Sequence, residues 1–215
     1  MTDTDRENIV ELHNWAQTLG QTGHHQEALA MAQDALALGA RCYAKDEPGY
    51  ANLLLTVANE HYALGQIQKA KGEATQAAEI LRSSPAAKQR ELAVALSILG
   101  RIHRSLGDYP TAEQLLRQSV EIHRAVSGEN SVDFGGSLNS LGLFYRDNGK
   151  YQEAEQVFLQ VLNIAEGFDP PENPHVAIAL ENLGLVYKSM ARNTESELVL
   201  ARARAIRTSW GMRRQ

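Results

Sequence analysis

Apolar residues along this chain fall at helical spacing, in runs that break at regular places. The stretch from Ser137 to Gly167 shows the unit. Leu138, Leu141, Gly142 and Tyr145 share one face at steps of three and four, and Ala154, Phe158, Val161, Leu162 and Ile164 do the same further on. Asn148-Gly149 interrupts the pattern between them, as a helix end does. Two helices therefore make one unit. The glycine at the break recurs at Gly23, Gly65, Gly107 and Gly149, always 42 residues apart, and a fifth step lands on Ala191. Seven residues before each break stand Ala16, Ala58, Gly100, Gly142 and Gly184, all small. Five residues after each stand Ala28, Ala70, Ala112, Ala154 and Ser196, and fifteen after stand Leu38, Ile80, Ile122, Ile164 and Ile206. Columns that keep one residue class through five copies define an internal repeat. Their chemistry is that of two helices in close contact: small residues let the backbones approach, and bulky aliphatics fill the space around them.

The pattern predicts ten helices, over residues 5–20, 25–43, 48–64, 66–83, 87–106, 108–127, 132–148, 150–166, 174–190 and 192–209. Pro48 and Pro174 lie 126 residues apart, three periods, and both suit a first helical turn. Gly72 falls inside the fourth helix at a cost of about 1 kcal/mol relative to alanine, so that helix is expected to be the least regular.

The order of Leu138, Leu141-Gly142, Tyr145, Ala154 and Phe158 resembles the signature of the tetratricopeptide repeat. The common form of that repeat has about 34 residues, so the period of 42 adds roughly one turn, ~6 Å, to each helix. Such long repeats are similar to those of kinesin light chains and of several bacterial sensor and signalling proteins. The phrase Asn173-Pro174-His175-Val176-Ala177 matches the way the longer repeats begin, whereas Glu166 stands where the shorter unit usually ends in proline. The resemblance extends over about residues 8–209. It implies an all-α fold, an α-solenoid coiled as a right-handed superhelix of five helix-turn-helix units, in which each unit touches only its neighbours. With no long Gly/Ser linker, residues 1–215 read as a single domain. Its repeats fall at approximately 8–47, 48–86, 87–130, 131–172 and 173–209, with a tail at 210–215.

Composition narrows the function. A hydrophobic content of 43% in 215 residues suffices for a sizeable core. The net charge of -5 argues against a general nucleic-acid binder. No apolar run approaches the roughly 20 residues needed to cross a bilayer, so no membrane partner is expected. The acidic start MTDTDRENIVELHNW lacks the features of a signal peptide, and the single Cys42 fits a reducing compartment, so a cytoplasmic location is expected.

The candidates for chemistry read as packing. His61 and His103 occupy the column of Tyr145 and Tyr187, where an aromatic filler belongs. His24 and His25 are adjacent and point in different directions from a helix. Neither HExxH nor CxxC occurs, so no metal or cofactor is expected. Cys42 shares a mainly apolar column with Ser84, Val126, Phe168 and Trp210 and reads as a packed thiol. The expectation is a protein that is not an enzyme.

By the resemblance, the first helix of each pair lines the inner, concave wall. One inward column holds His13, Leu55, Ser97, Asn139 and Glu181; the next holds Gln17, Asn59, Arg101, Leu143 and Leu185; a third holds Gly20, Tyr62, Arg104, Arg146 and Lys188. Asn52 lies one turn before Leu55. A wall of amides, cations, a tyrosine and leucines suits a peptide: amides bond its backbone, and the apolar residues take its side chains. Repeated cations in the third column suit an acidic segment, seated towards the C-terminal half with an apolar anchor near Leu55 and Tyr62. Asn59 matches one place in the carboxylate clamp of chaperone-binding relatives, but Leu55 stands where that clamp needs a lysine. Relatives that act as quorum-responsive regulators carry an additional N-terminal helical bundle; with about four residues before the first helix, that module is expected to be absent here. The leading expectation is a protein-interaction adaptor or scaffold with a peptide groove. The alternative is a structural module that self-associates through its terminal helices. Trp210, with no sixth repeat to receive it, is expected to fold back on Ile206 or to join a neighbouring molecule.

Overall fold

The computed structural model describes residues 3–45, 47–83, 89–168 and 170–211. Among them the chain forms ten α-helices and no strand: α1 (Asp3–Gln21), α2 (His25–Cys42), α3 (Pro48–Ala63), α4 (Ile67–Arg82), α5 (Gln89–Ser105), α6 (Tyr109–Ser127), α7 (Val132–Asp147), α8 (Tyr151–Glu166), α9 (Pro174–Ser189) and α10 (Asn193–Ser209). Each helix begins and ends within two residues of the position expected from the repeat; the expected start of the fifth, at residue 87, lies outside the described residues. So do Ser84 in the Cys42 column and the tail beyond Gly211. Among the described residues no helix is long and apolar enough to cross a membrane.

The chain falls into two compact units, Met1–Leu115 and Leu116–Gln215. In the first, α1 pairs with α2 and α3 with α4; α2 also packs on α3, and α4 on α5. The first helices of successive pairs lie side by side, α1 with α3 and α3 with α5. In the second unit, α7 pairs with α8 and α9 with α10, and α8 packs on α9. Each unit is a stretch of all-α solenoid.

One turn geometry makes all five pairs. Gly23, Gly65, Gly107 and Gly149 adopt φ of 85°, 72°, 78° and 73°. This left-handed conformation costs glycine nothing and lets the chain reverse. At each turn the following residue's N–H returns to the carbonyl five residues earlier, as in His24 to Leu19, Gln66 to His61, Asp108 to His103, Lys150 to Tyr145 and Arg192 to Tyr187, at 2.8–2.9 Å. The fifth turn has the same bonds with Ala191 at its centre, at φ 59°. The period thus holds at Ala191 although its side chain opposes the geometry.

Close contact follows from the small columns. A Cβ built on Gly142 would lie 2.7–3.0 Å from the Phe158 ring, and one on Gly184 would lie 2.6 Å from Leu200. Phe158, one period before Leu200, is fully buried. Gly72 does not have the expected effect: α4 runs unbroken from Ile67 to Arg82. Gly72 sits on its exposed side with nothing near, while Ala70, Ala74, Ala77, Ala78, Ile80 and Leu81 bury the rest of the helix, and that packing outweighs one unfavourable propensity.

Two substitutions test this account. A non-glycine residue in the left-handed region costs roughly 1–2 kcal/mol, partly offset by the greater freedom of glycine in the unfolded chain. Ala191→Gly should therefore raise the urea midpoint by the equivalent of about 0.5–1 kcal/mol, and an unchanged or lower midpoint would show that the turn is not strained. Gly142→Leu should cost about 1–3 kcal/mol or more by driving a side chain into Phe158; an unaltered melting temperature would mean that α7 and α8 are not in contact there.

Candidate functional site

The inner helices of the first unit carry a polar wall whose side chains meet at offsets of one period. Arg101 of α5 donates from Nη1 to Asn59 Oδ1 of α3 at 3.4 Å, 42 residues away, and its guanidinium lies 4.5 Å from the centre of the Tyr62 ring. Arg104 donates to the Tyr62 hydroxyl at 3.4 Å, again across 42 residues, and the same hydroxyl is 3.1 Å from Ser105 Oγ. On the other side, Thr56 Oγ1 is 3.3 Å from His13 Nδ1 of α1, and Thr56 also donates to the Asn52 carbonyl. Residues one period apart touch because α1, α3 and α5 lie alongside one another in register. Asn52, Asn59, Tyr62, Arg101 and Arg104 are all half-buried. Burial pushes the Tyr62 phenol up, but its hydrogen bonds with Ser105 and Arg104 and the charges of Arg104 and Arg101 outweigh this, and the net shift is downward. Burial pulls the Arg101 guanidinium below its usual range, yet an arginine stays charged. The wall around Tyr62 is therefore electropositive. Leu55, expected as an exposed anchor, is only 6% exposed and belongs to the core.

The second unit carries a separate wall on α7 and α9. Asn182 Nδ2 donates to Asn139 Oδ1 at 2.8 Å, across 43 residues. Leu143 is half-buried and Leu185 is 46% exposed. Lys188 is exposed, whereas Arg146 turns back on Asp147 at 2.8 Å, so part of its charge is compensated. Glu181 is held by Arg207 of α10 at 2.7 Å. The cations of the third column are thus not equivalent: Arg104 shapes the Tyr62 cluster, Arg146 is paired, and Lys188 faces solvent.

Two models of the tetratricopeptide repeat match the chain, one over residues 133–209 and one over residues 92–133, together more than half of the 215 residues. The chain belongs to the tetratricopeptide repeat family. No curated protein sequence matches it. Among solved structures it is similar to BtubC (BKLC) from P. vanneervenii, with a TM-score of 0.72 and 19% identity over 99% of this chain and 91% of that one. It is similar to a putative kinesin light chain from Podosopora anserina with nearly identical TPR-like repeats, with a TM-score of 0.72 and 23% identity over 99% of this chain and 100% of that one. A Rap protein complexed with competence and sporulation factor gives a TM-score of 0.83 at 17% identity, covering 95% of this chain and 55% of the Rap chain. At these identities the likeness is one of fold.

In this tetratricopeptide repeat protein several polar residues carry more than packing. His61 is buried as expected of a filler, but its Nδ1 also meets Glu73 at 2.7 Å; His103 meets Asp108 at 2.9 Å in the same way. Hydrogen bonds from Thr111 and His103 hold the Asp108 carboxyl below its usual range. Among the described residues no three His, Cys, Asp or Glu side chains are grouped to hold a metal. Glu60, which the sequence reading passed over, is 2% exposed; it bonds His25 at 2.8 Å and accepts from Asn59 at 3.1 Å. Its carboxylate fills the space that a side chain at Gly20 would take. The signal was present, since the column of Glu60 otherwise holds Thr18, Ile102, Phe144 and Val186, and an acid there needs a partner. The Trp210 indole N–H has a partner within the chain: it donates to the Glu172 carbonyl at 2.7 Å. The loop it reaches is ordered by Asn173, which caps α9 through Oδ1 and donates to the Ala165 and Pro170 carbonyls.

The buried pair gives a prediction. His25→Ala leaves the Glu60 carboxylate with Asn59 as its remaining partner and should cost about 1–3 kcal/mol. Adding Glu60→Leu should recover much of that loss, because an apolar residue suits the column. A double variant no more stable than His25→Ala alone would show that the carboxylate carries no burial penalty.

Proposed function

We propose that this protein is a non-enzymatic adaptor that binds a peptide or partner protein on the inner walls of its helical repeats. The observation that carries the reading is the Asn59–Arg101–Tyr62–Arg104 cluster, a half-buried arrangement of amide, phenol and two guanidiniums shared by adjacent inner helices. A buried structural network would be closed to solvent, whereas these side chains are half-buried and reachable from it. Structures of the same fold include a Rap protein complexed with competence and sporulation factor and a Rap conjugation regulator complexed with the Phr* peptide, which supports a peptide as the ligand class. On this reading Asn52 would bond an extended backbone, Asn59 would do so by giving up its bonds to Arg101 and Glu60, and Tyr62 with the two arginines would receive an acidic side chain. In the second unit Asn139, Leu143, Arg146, Leu185 and Lys188 offer a second surface of mixed character. An acidic segment is better suited to the Tyr62 cluster than to Arg146, whose charge Asp147 already faces. The expected setting is the cytoplasm.

The test is selection of binders from a random peptide display library. Peptides enriched by the wild type should be rich in Asp or Glu, and their binding should weaken as salt rises. Arg101→Gln with Arg104→Gln, checked for unchanged helical content, should lose that enrichment. Enrichment of neutral peptides by the wild type, or an identical set from the double variant, would sink the acidic-ligand reading.

A second reading, self-association through the terminal helices, draws on a different surface: Val10 and Trp15 on α1 are each 55% exposed.

A further inference from the structure

The exposed face of α1 forms an open groove lined by Arg6, Glu7, Val10, Glu11, Asn14, Trp15 and Thr18. The repeat register says what kind of face this is. Trp15 shares its column with Val57, Leu99, Leu141 and Leu183, and Glu11 shares its column with Leu53, Ala95, Ser137 and Ala179; all eight of these are buried. In later pairs the corresponding face is covered by the second helix of the pair before it: α2 on α3, α4 on α5 and α8 on α9. Only α1 among these first helices shows it to solvent. The occupant that fits is therefore a second helix of this repeat.

The helix α10 is such a helix with its onward face open. Its Glu197, Ala201, Arg204 and Thr208 are exposed, as is Leu198 at 72%. We infer that α1 of one molecule receives α10 of a second copy, head to tail, in the register used between repeats. This rests on the self-association reading and is independent of peptide binding. The register makes the contact specific. Leu36 of α2 packs in the clusters that hold Leu53 and Val57 of α3. Four periods on, the place of Leu36 is taken by Arg204; one period back, the places of Leu53 and Val57 are taken by Glu11 and Trp15. The inter-repeat contact thus becomes a guanidinium set between a carboxylate and an indole, an ion pair combined with a cation–π contact. None of the side chains of Glu11, Trp15 and Arg204 has a hydrogen-bond, ion-pair or ring partner among the described residues. The acid and the cation at the two ends are complementary, and the join uses different surfaces on each partner, so it continues beyond a dimer unless it closes.

The test is sedimentation velocity of the 215-residue chain at concentrations up to about 0.1 mM, for wild type, Glu11→Arg, Arg204→Glu and an equal mixture of the two variants. The wild-type sedimentation coefficient should rise with concentration and fall back in high salt. Each reversal should weaken association about tenfold or more while leaving the helical spectrum unchanged. The mixture should regain association, because each variant supplies the charge that the other has lost. A wild type that stays monomeric throughout overturns self-association altogether and leaves the α1 face to another occupant. A wild type that associates, with both variants and their mixture behaving identically to it, overturns the α1–α10 register while placing self-association on another surface.

Discussion

At Gly142 and Gly184 the first helix of a pair has no side chain, and the Phe158 ring or the branched end of Leu200 lies where a Cβ would stand. This contact sets the distance between paired helices. Because the space between them is so narrow, it can be filled only by side chains that interlock, and the interior is close-packed around a few large residues such as Phe144, Phe158, Leu180 and Leu183. Two helices held this closely turn their remaining faces towards neighbouring pairs. The second helix takes the next repeat, and the first helix lies alongside its counterparts. The polar walls exist because the small-to-large contact has already decided which faces are spent on packing.

The left-handed turn fixes the other half of the geometry. With the same backbone bonds at all five turns, positions 42 or 43 residues apart become neighbours on adjacent inner helices within each unit. Asn59 with Arg101, Tyr62 with Arg104, and Asn139 with Asn182 are the result. Ala191 shows that the requirement belongs to the fold and not to glycine: the turn forms with φ 59° on an alanine because the hydrogen bonds and packing on either side over-determine it.

Polar residues in apolar columns mark where the repeats differ from one another. Glu60 stands among Ile102, Phe144 and Val186 and is tolerated because Gly20 leaves room for its head and His25 supplies a partner. Asn173 is buried and uses its amide to tie the α8–α9 loop to α9, and Trp210 and Arg202 fasten the end of α10 to that same loop at Glu172. Such sites give individual repeats an identity that the shared columns cannot.

The repeat in the sequence by itself determined the helix number, the turns and the small-to-large contacts. Each depends on one residue class at one position, and five copies made the class visible. It also put Asn59 with Arg101, and Tyr62 with Arg104, one period apart in shared columns, where they meet. What it could not determine was how those side chains divide between partners. Leu55 turned into the core, Arg146 towards Asp147, Arg101 onto Tyr62, and Trp210 onto a carbonyl 38 residues away. Those choices were left to the tertiary structure, because a column records where a residue stands on its helix, whereas a long polar side chain is placed by whichever charge, ring or carbonyl the neighbouring helix brings within reach.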